Sequence, residues 1–357
     1  MRRARRSAVI AACAVLAGGA HGAGATTVPP APDRSELETP ADALVASTLE
    51  GTDTTAVPEQ PEKVPENATA ETDAGTKAKP WGPGSGTVTR SAPVLMVHGF
   101  ELGGASDCTK WNTMASLFSG WGHPTMVRLR FYDGDTGCDH NISHHGSHDR
   151  HYGGVGHRGD GHTQNADIRH LAYHLAWYIN DHWGSVSNVD VVAHSMGGLL
   201  LRYALWRTSV GDPDFPATLM VQDAVTLGTP HLGTYQATGC AYWKDYTQCR
   251  QMSPGSAFLK DLESYAQNPQ GYPETDWTLV GSEDDHTVSE GSATGMKSQH
   301  KVLYGDGRGH SSYRERSGTA GTRVKWDEGW DGKDYFHWDD APDIINWADR
   351  ATAASAW

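Results

Sequence analysis

Between residues 26 and 80 this 357-residue chain has no phenylalanine, tryptophan or tyrosine. The stretch is rich in Pro, Thr, Ala and Glu, with eleven acids against four bases. So little apolar surface cannot offset the entropy of ordering a backbone, which excludes a packed domain there. Residues 26–89 read as a disordered linker or a removable pro-segment. Basic stripes are missing too. Outside Arg2, Arg3, Arg5 and Arg6, lysine and arginine form no block, and the formal net charge is −14. That balance argues against a nucleic-acid partner. The apolar run from Ser7 to Ala20 is too short to span a bilayer. Lying between the four arginines and Ala23-Gly24-Ala25, it reads as a secretory signal peptide over 1–25, hence an extracellular protein. A lipoprotein signal at Cys13 is the alternative. Cysteine is scarce, at five, and no C-x-x-C spacing exists, which weakens any zinc site built on thiolates. Cys13 leaves with the signal. The remaining four read as two disulfides in an exported chain. The short separation favours Cys240–Cys249 and leaves Cys108–Cys138.

What is present begins with alternation. Val94–Val97 reads as a buried strand ending in His98-Gly99, Trp111–Trp121 as a helix and Met126–Tyr132 as a strand. Ile168, Leu171, Ala172, Leu175 and Ile179 recur at helical spacing, with Gly184 as a stop. Further strands are expected at Val189–Ala193, Leu219–Leu227, Thr278–Val280 and Lys301–Tyr304. Alternating strands and helices predict an α/β fold with a doubly wound, mostly parallel sheet and helices on both faces. Ligands then sit beyond the carboxyl ends of the strands.

The chemistry concentrates at one such end. Val189-Asp190-Val191-Val192-Ala193-His194-Ser195-Met196-Gly197-Gly198 is a strand, a serine between small residues, and a helix start at Leu199. That is the context of a nucleophile elbow, with Ala193 standing where the strict G-x-S-x-G pattern has glycine. A serine needs a base, and the base an orienting carboxylate. In this fold they follow in the order serine, acid, histidine. The acid candidates are Asp284 and Asp285, just past the Thr278 strand, with Asp285 preferred. The base is expected at His310, in the glycine-rich loop after the Lys301 strand, ahead of His286, His300 and His337. An oxyanion hole needs two N–H donors: Met196, after the serine, and Phe100, in the loop after the first strand. His98 reads as a brace for that loop.

The Val-His-Gly start, the Ala-His-Ser-Met-Gly-Gly elbow and the Gly-x-Gly-His loop resemble those of secreted bacterial lipases and esterases of the α/β-hydrolase superfamily. The likeness is to the small Bacillus-type lipases. Thr226–Gly233 and Met252–Leu259 resemble elements of actinobacterial relatives. The resemblance covers about residues 92 to 312. It implies Ser195 as nucleophile, Asp285 as orienting acid, His310 as base, and Phe100 and Met196 as backbone donors. It also implies a minimal sheet without the long cap domain of larger hydrolases. The expected substrate is a lipid or other ester, with transient contact with a lipid surface, a monomeric chain, and no cofactor or metal. The catalytic domain is then expected over 90–357. An acyltransferase, an amidase or peptidase, or a non-catalytic metal- or surface-binding protein on the same scaffold are the alternatives.

Two stretches depart from that pattern. Asp139–Gln164 holds His140, His144, His145, His148, His151, His157 and His162. It matches no recognised metal signature and reads as a polar surface loop, although such clusters can hold zinc, copper or nickel. The tail from Gly318 carries Trp326, Trp330, Tyr335, Phe336 and Trp338 among acids, and reads as core packing.

Overall fold

The computed structural model describes residues 89–143, 162–184, 187–305, 308–315, 324–327, 336–338 and 342–353. The expected signal peptide, the expected linker up to residue 88 and most of the histidine-rich stretch lie outside the described residues. So do Trp330 and Tyr335. Of Trp326, Phe336, His337 and Trp338 only the backbone is described.

Among the described residues nine strands form one sheet: β1 (Val94–Val97), β2 (Met126–Arg130), β3 (His140–Asn141), β4 (Val189–His194), β5 (Val221–Leu227), β6 (Asp276–Ser282), β7 (His300–Tyr304), β8 (Val324–Asp327) and β9 (Phe336–Trp338). Their order is β3-β2-β1-β4-β5-β6-β7-β8-β9. Strands β1 to β7 pair in parallel. The last two pairings, β7 with β8 and β8 with β9, are antiparallel. That extension was not foreseen from the sequence.

Among the described residues eight α-helices accompany the sheet: α1 (Asn112–Trp121), α2 (Ile168–Trp183), α3 (Met196–Ser209), α4 (Tyr235–Lys244), α5 (Thr247–Met252), α6 (Ala257–Tyr265), α7 (Glu290–Ala293) and α8 (Ile344–Ala351). Alternation along the strands divides the core into two layers. Leu95, Val97, Val191 and Ala193 face one layer, with residues of α2, α3 and α6. Val94, Met96, Val192 and Val225 face the other, with residues of α1 and α8. Fully burying one such aliphatic side chain stabilises the fold by about 1.5–3 kcal/mol. Helix α2 starts where Asp167 accepts a hydrogen bond from the Arg169 N–H, and it stops at Gly184 as expected.

This is the α/β-hydrolase fold. Chain order runs outward in opposite directions from the β1/β4 junction, so the loops after these two strands flank a topological switch point. Both expected disulfides, Cys108–Cys138 and Cys240–Cys249, are present.

Candidate active site

Each side chain singled out for chemistry lies just past a strand end. Ser195 follows β4 and precedes α3, at φ 54° and ψ −130°. This is a left-handed conformation that a non-glycine residue adopts only under constraint. The constraint is visible: the Ser195 N–H donates to the Leu227 carbonyl at 2.9 Å, tying the elbow to the end of β5. Small neighbours are needed because the loop after β1 presses against the elbow. A Cβ on Gly99 would lie 2.5 Å from the Ser195 Cβ, and one on Gly197 would lie 2.6 Å from the His98 carbonyl oxygen.

His310 begins the short 3-10 helix His310–Arg314, past β7. Its Nε2 is 2.9 Å from Ser195 Oγ, so the hydroxyl can donate to it. Its Nδ1 donates to Asp285 Oδ2 at 2.8 Å. The second oxygen, Asp285 Oδ1, accepts from the Thr287 and Val288 N–H groups, each at 2.9 Å. The carboxylate is thus held on both oxygens by a loop just past β6, with its side chain fully buried. Asp284 is exposed. His286 is exposed as well, and His300 sits at the start of β7 with its Nε2 3.2 Å from Asp276 Oδ2. The structure therefore joins Ser195, His310 and Asp285 in one hydrogen-bonded line.

The two expected oxyanion donors are near neighbours of Ser195, one through Gly99 and one in sequence. Phe100 follows Gly99, which touches Ser195, and buried Met196 is the first residue of α3. A helix N-terminus adds its partial positive charge there. The loop bearing Phe100 is braced as expected for His98. The His98 ring donates to the Gly99 carbonyl through Nδ1 at 2.9 Å, and its Nε2 is 2.7 Å from Asp135 Oδ2. Burial pushes the Asp135 pKa up. The His98 hydrogen bond and charge, with the Ser106 and Tyr132 N–H groups, outweigh burial and hold it below the usual carboxylate range.

Three residues of this site were not singled out from the sequence. His194 is buried, and its Nε2 donates to the His310 carbonyl at 2.8 Å, fixing the backbone of His310. Burial first, then the charges of Arg314 and His310, push the His194 pKa well below the usual histidine range, so it stays neutral. Gly228, at φ +57°, packs so closely that an added Cβ would lie 3.0 Å from Asp285 Oδ2 and 3.3 Å from His310 Nδ1. Asp135 is the third. The glycine after β5 and the histidine beside the serine were local signals that could have been used, whereas Asp135 offered none.

The family model described as "Putative serine esterase (DUF676)" matches residues 141–264. That is just over a third of the chain, and it includes Ser195 but neither Asp285 nor His310. No curated protein matches the chain. Among solved structures, Bacillus licheniformis lipase BlEst2 in its propeptide form is similar at 16% identity and a TM-score of 0.41, over 63% of this chain and 48% of that one. Phospholipase PlaB from Legionella pneumophila is similar at 11% identity and a TM-score of 0.39, over 60% of this chain and 45% of that one. The lin2722 product of Listeria innocua is similar at 13% identity and a TM-score of 0.37, over 63% of this chain and 89% of that one. The matched region spans less than half of each of the first two proteins. These likenesses are loose, and the fold is assigned from the strand order and the elbow. The chain is an α/β-hydrolase-fold protein whose serine-bearing segment is similar to serine esterases.

Proposed function

We propose that this protein is a serine carboxylic ester hydrolase of the lipase and esterase type. The observation that carries the proposal is the hydrogen-bonded line from Ser195 Oγ through His310 to Asp285, beginning at a serine held at positive φ. Ser195 Oγ attacks the ester carbonyl while His310 Nε2 takes its proton. Asp285 holds the ring with Nδ1–H toward the carboxylate and stabilises the imidazolium that forms. The Phe100 and Met196 N–H groups accept the developing oxyanion as hydrogen-bond donors. His310 then gives its proton to the departing alkoxide oxygen, leaving an acyl-Ser195. Water, deprotonated by His310, attacks the acyl carbon, and the proton returns to Ser195 as the acid leaves.

An apolar group on the substrate is supported by the residues beside the acid loop. Leu232 and Tyr235 are exposed, and the first turn of α4 reaches the same loop. The Thr234 hydroxyl there donates to the Thr287 carbonyl, and Gln236 Nε2 donates to the His286 carbonyl at 3.3 Å. Export, expected from residues 1–25, agrees with two disulfides, which persist in oxidising compartments.

The test is a panel of nitrophenyl esters from acetyl to palmitoyl, with triglyceride and phospholipid, on wild type and Ser195→Ala. Wild type should turn over esters and show a burst of acylation. Ser195→Ala should lose roughly 10⁴–10⁶-fold in kcat with an unchanged melting curve. Unchanged turnover in the variant would overturn the assignment of Ser195. Product captured by added alcohols or amines in preference to water would move the reading to acyl transfer.

A further inference from the structure

Three buried histidines on the α2 side of the sheet converge on one point, away from the serine's chemistry. His170 and His174 lie one helical turn apart on α2 and so share a face. His162 lies just ahead of the helix. Its backbone is pinned to the loop after β2: the Asp133 N–H donates to the His162 carbonyl at 2.9 Å, and the His162 N–H donates to Asp133 Oδ2 at 3.2 Å. All three residues are at most 5% exposed. His170 Nε2 lies 3.3 Å from His162 Nε2 and 2.9 Å from His174 Nε2. One ring nitrogen from each residue falls within 4.8 Å of the other two.

A ring nitrogen carries either one proton or one lone pair. His170 Nε2 can therefore make only one of its two contacts a hydrogen bond. The other sets two nitrogens against each other with no bond between them. A cation at the convergence point removes that conflict, because all three lone pairs then point at one centre. The spacing fits such a centre. Nitrogens bound at about 2.0–2.1 Å in a tetrahedron stand roughly 3.3 Å apart. The outer nitrogen of His162 faces a carboxylate, with Nδ1 3.9 Å from Asp133 Oδ1, the kind of partner that orients ligand imidazoles.

We propose that His162, His170 and His174 bind a divalent transition-metal ion, zinc by preference. Three neutral imidazoles suit zinc, cobalt, nickel or copper, and not calcium or magnesium. They leave one tetrahedral position for water. The ion holds the segment 162–164, on which two other elements rest. Gln248 of α5 donates from its backbone to the Gln164 carbonyl at 3.3 Å and from Nε2 to the Thr163 carbonyl at 3.1 Å. Gln164 also backs onto Gly104, in the loop that carries Phe100. The proposal does not depend on the esterase reading.

The experiment uses the full chain, stripped with EDTA and titrated with zinc chloride, with metal content, melting temperature and calorimetry as readouts. Wild type should take up zinc with a melting temperature several degrees higher. Its cobalt form should show the visible absorption of a tetrahedral nitrogen site. His170→Gln and His174→Gln should weaken that binding about 100-fold and abolish the thermal shift, while melting cooperatively in EDTA. A triple variant at His144, His145 and His148, all to Ala, should keep the thermal shift and the cobalt spectrum. No uptake or thermal shift in wild type would overturn the proposal, whether or not the variants fold. So would a thermal shift that survives in His170→Gln and His174→Gln and disappears in the triple variant.

Discussion

Asp284 and Asp285 are chemically identical neighbours in opposite surroundings. Asp284 is exposed, whereas Asp285 is buried, receives two backbone N–H groups on one oxygen and faces His310 Nδ1 with the other. Asp285→Asn keeps the shape but replaces an acceptor by an amide that can hold the ring in the wrong tautomer. It should lower kcat on a nitrophenyl ester by about 10³–10⁴-fold. Asp284→Asn should stay within about twofold of wild type, since its side chain is exposed and it is Asp285 that meets His310. Equal losses in the two variants, measured side by side, would contradict the assignment of Asp285. The same scale explains His194. It stands beside Ser195 in sequence, yet its work is done through the His310 carbonyl, 116 residues away.

Among the elements, β4 and β5 carry a carboxyl pair at the end of the sheet opposite Ser195. Asp190 and Asp223 are paired in register, and both are buried. Burial pushes the Asp190 pKa up. Burial, then the neighbouring charges of Asp190 and Asp276, push Asp223 up further, so the pair retains a proton. The unfolded chain releases such protons near pH 4. Above that pH the native state binds more protons than the unfolded state, and stability falls as pH rises toward and past neutrality. The contribution is fully present below the unfolded value and is lost as pH climbs through the raised one. Melting temperature should therefore drop by several degrees between pH 5 and pH 8, each kcal/mol being worth about 2–4 °C at this size. Asp223→Asn supplies a permanent donor to Asp190 and should flatten that slope. A slope equal to wild type would show that the pair is not its source.

At the scale of the whole molecule, two disulfides tie down loops around the sheet. Cys108–Cys138 joins the short helix Cys108–Trp111 to the segment between β2 and β3, across 30 residues. Cys240–Cys249 joins α4 to α5 across 9. Loop-closure entropy predicts about 3.7 kcal/mol for the longer loop and about 2.7 kcal/mol for the shorter. The paired substitution Cys108→Ala with Cys138→Ala should thus destabilise by about 1 kcal/mol more than Cys240→Ala with Cys249→Ala. Denaturant melts of the two variants check this, and the reverse ranking would mean that native-state packing around the bridges outweighs chain entropy.

The sequence by itself determined whatever depends on near neighbours. The strands β1, β4 and β7, the stop of α2 at Gly184, the elbow at Ser195 and the expected order of serine, acid and histidine all follow from local periodicity and short motifs. Only the tertiary structure decided what depends on distance. It placed Asp285 rather than Asp284 on His310, because a buried turn orients one carboxylate inward and leaves the other in water. It added β8 antiparallel to β7 and β9 antiparallel to β8, pairings that no local pattern in the aromatic tail encodes. It set Asp190 beside Asp223, which are remote in sequence and adjacent in register. And it drew His162, which the sequence groups with a surface loop, into contact with His170, which in turn meets His174 one helical turn on. A side chain's type is local, but its charge state, its partner and its ligand are set by what the fold brings within a few ångströms of it.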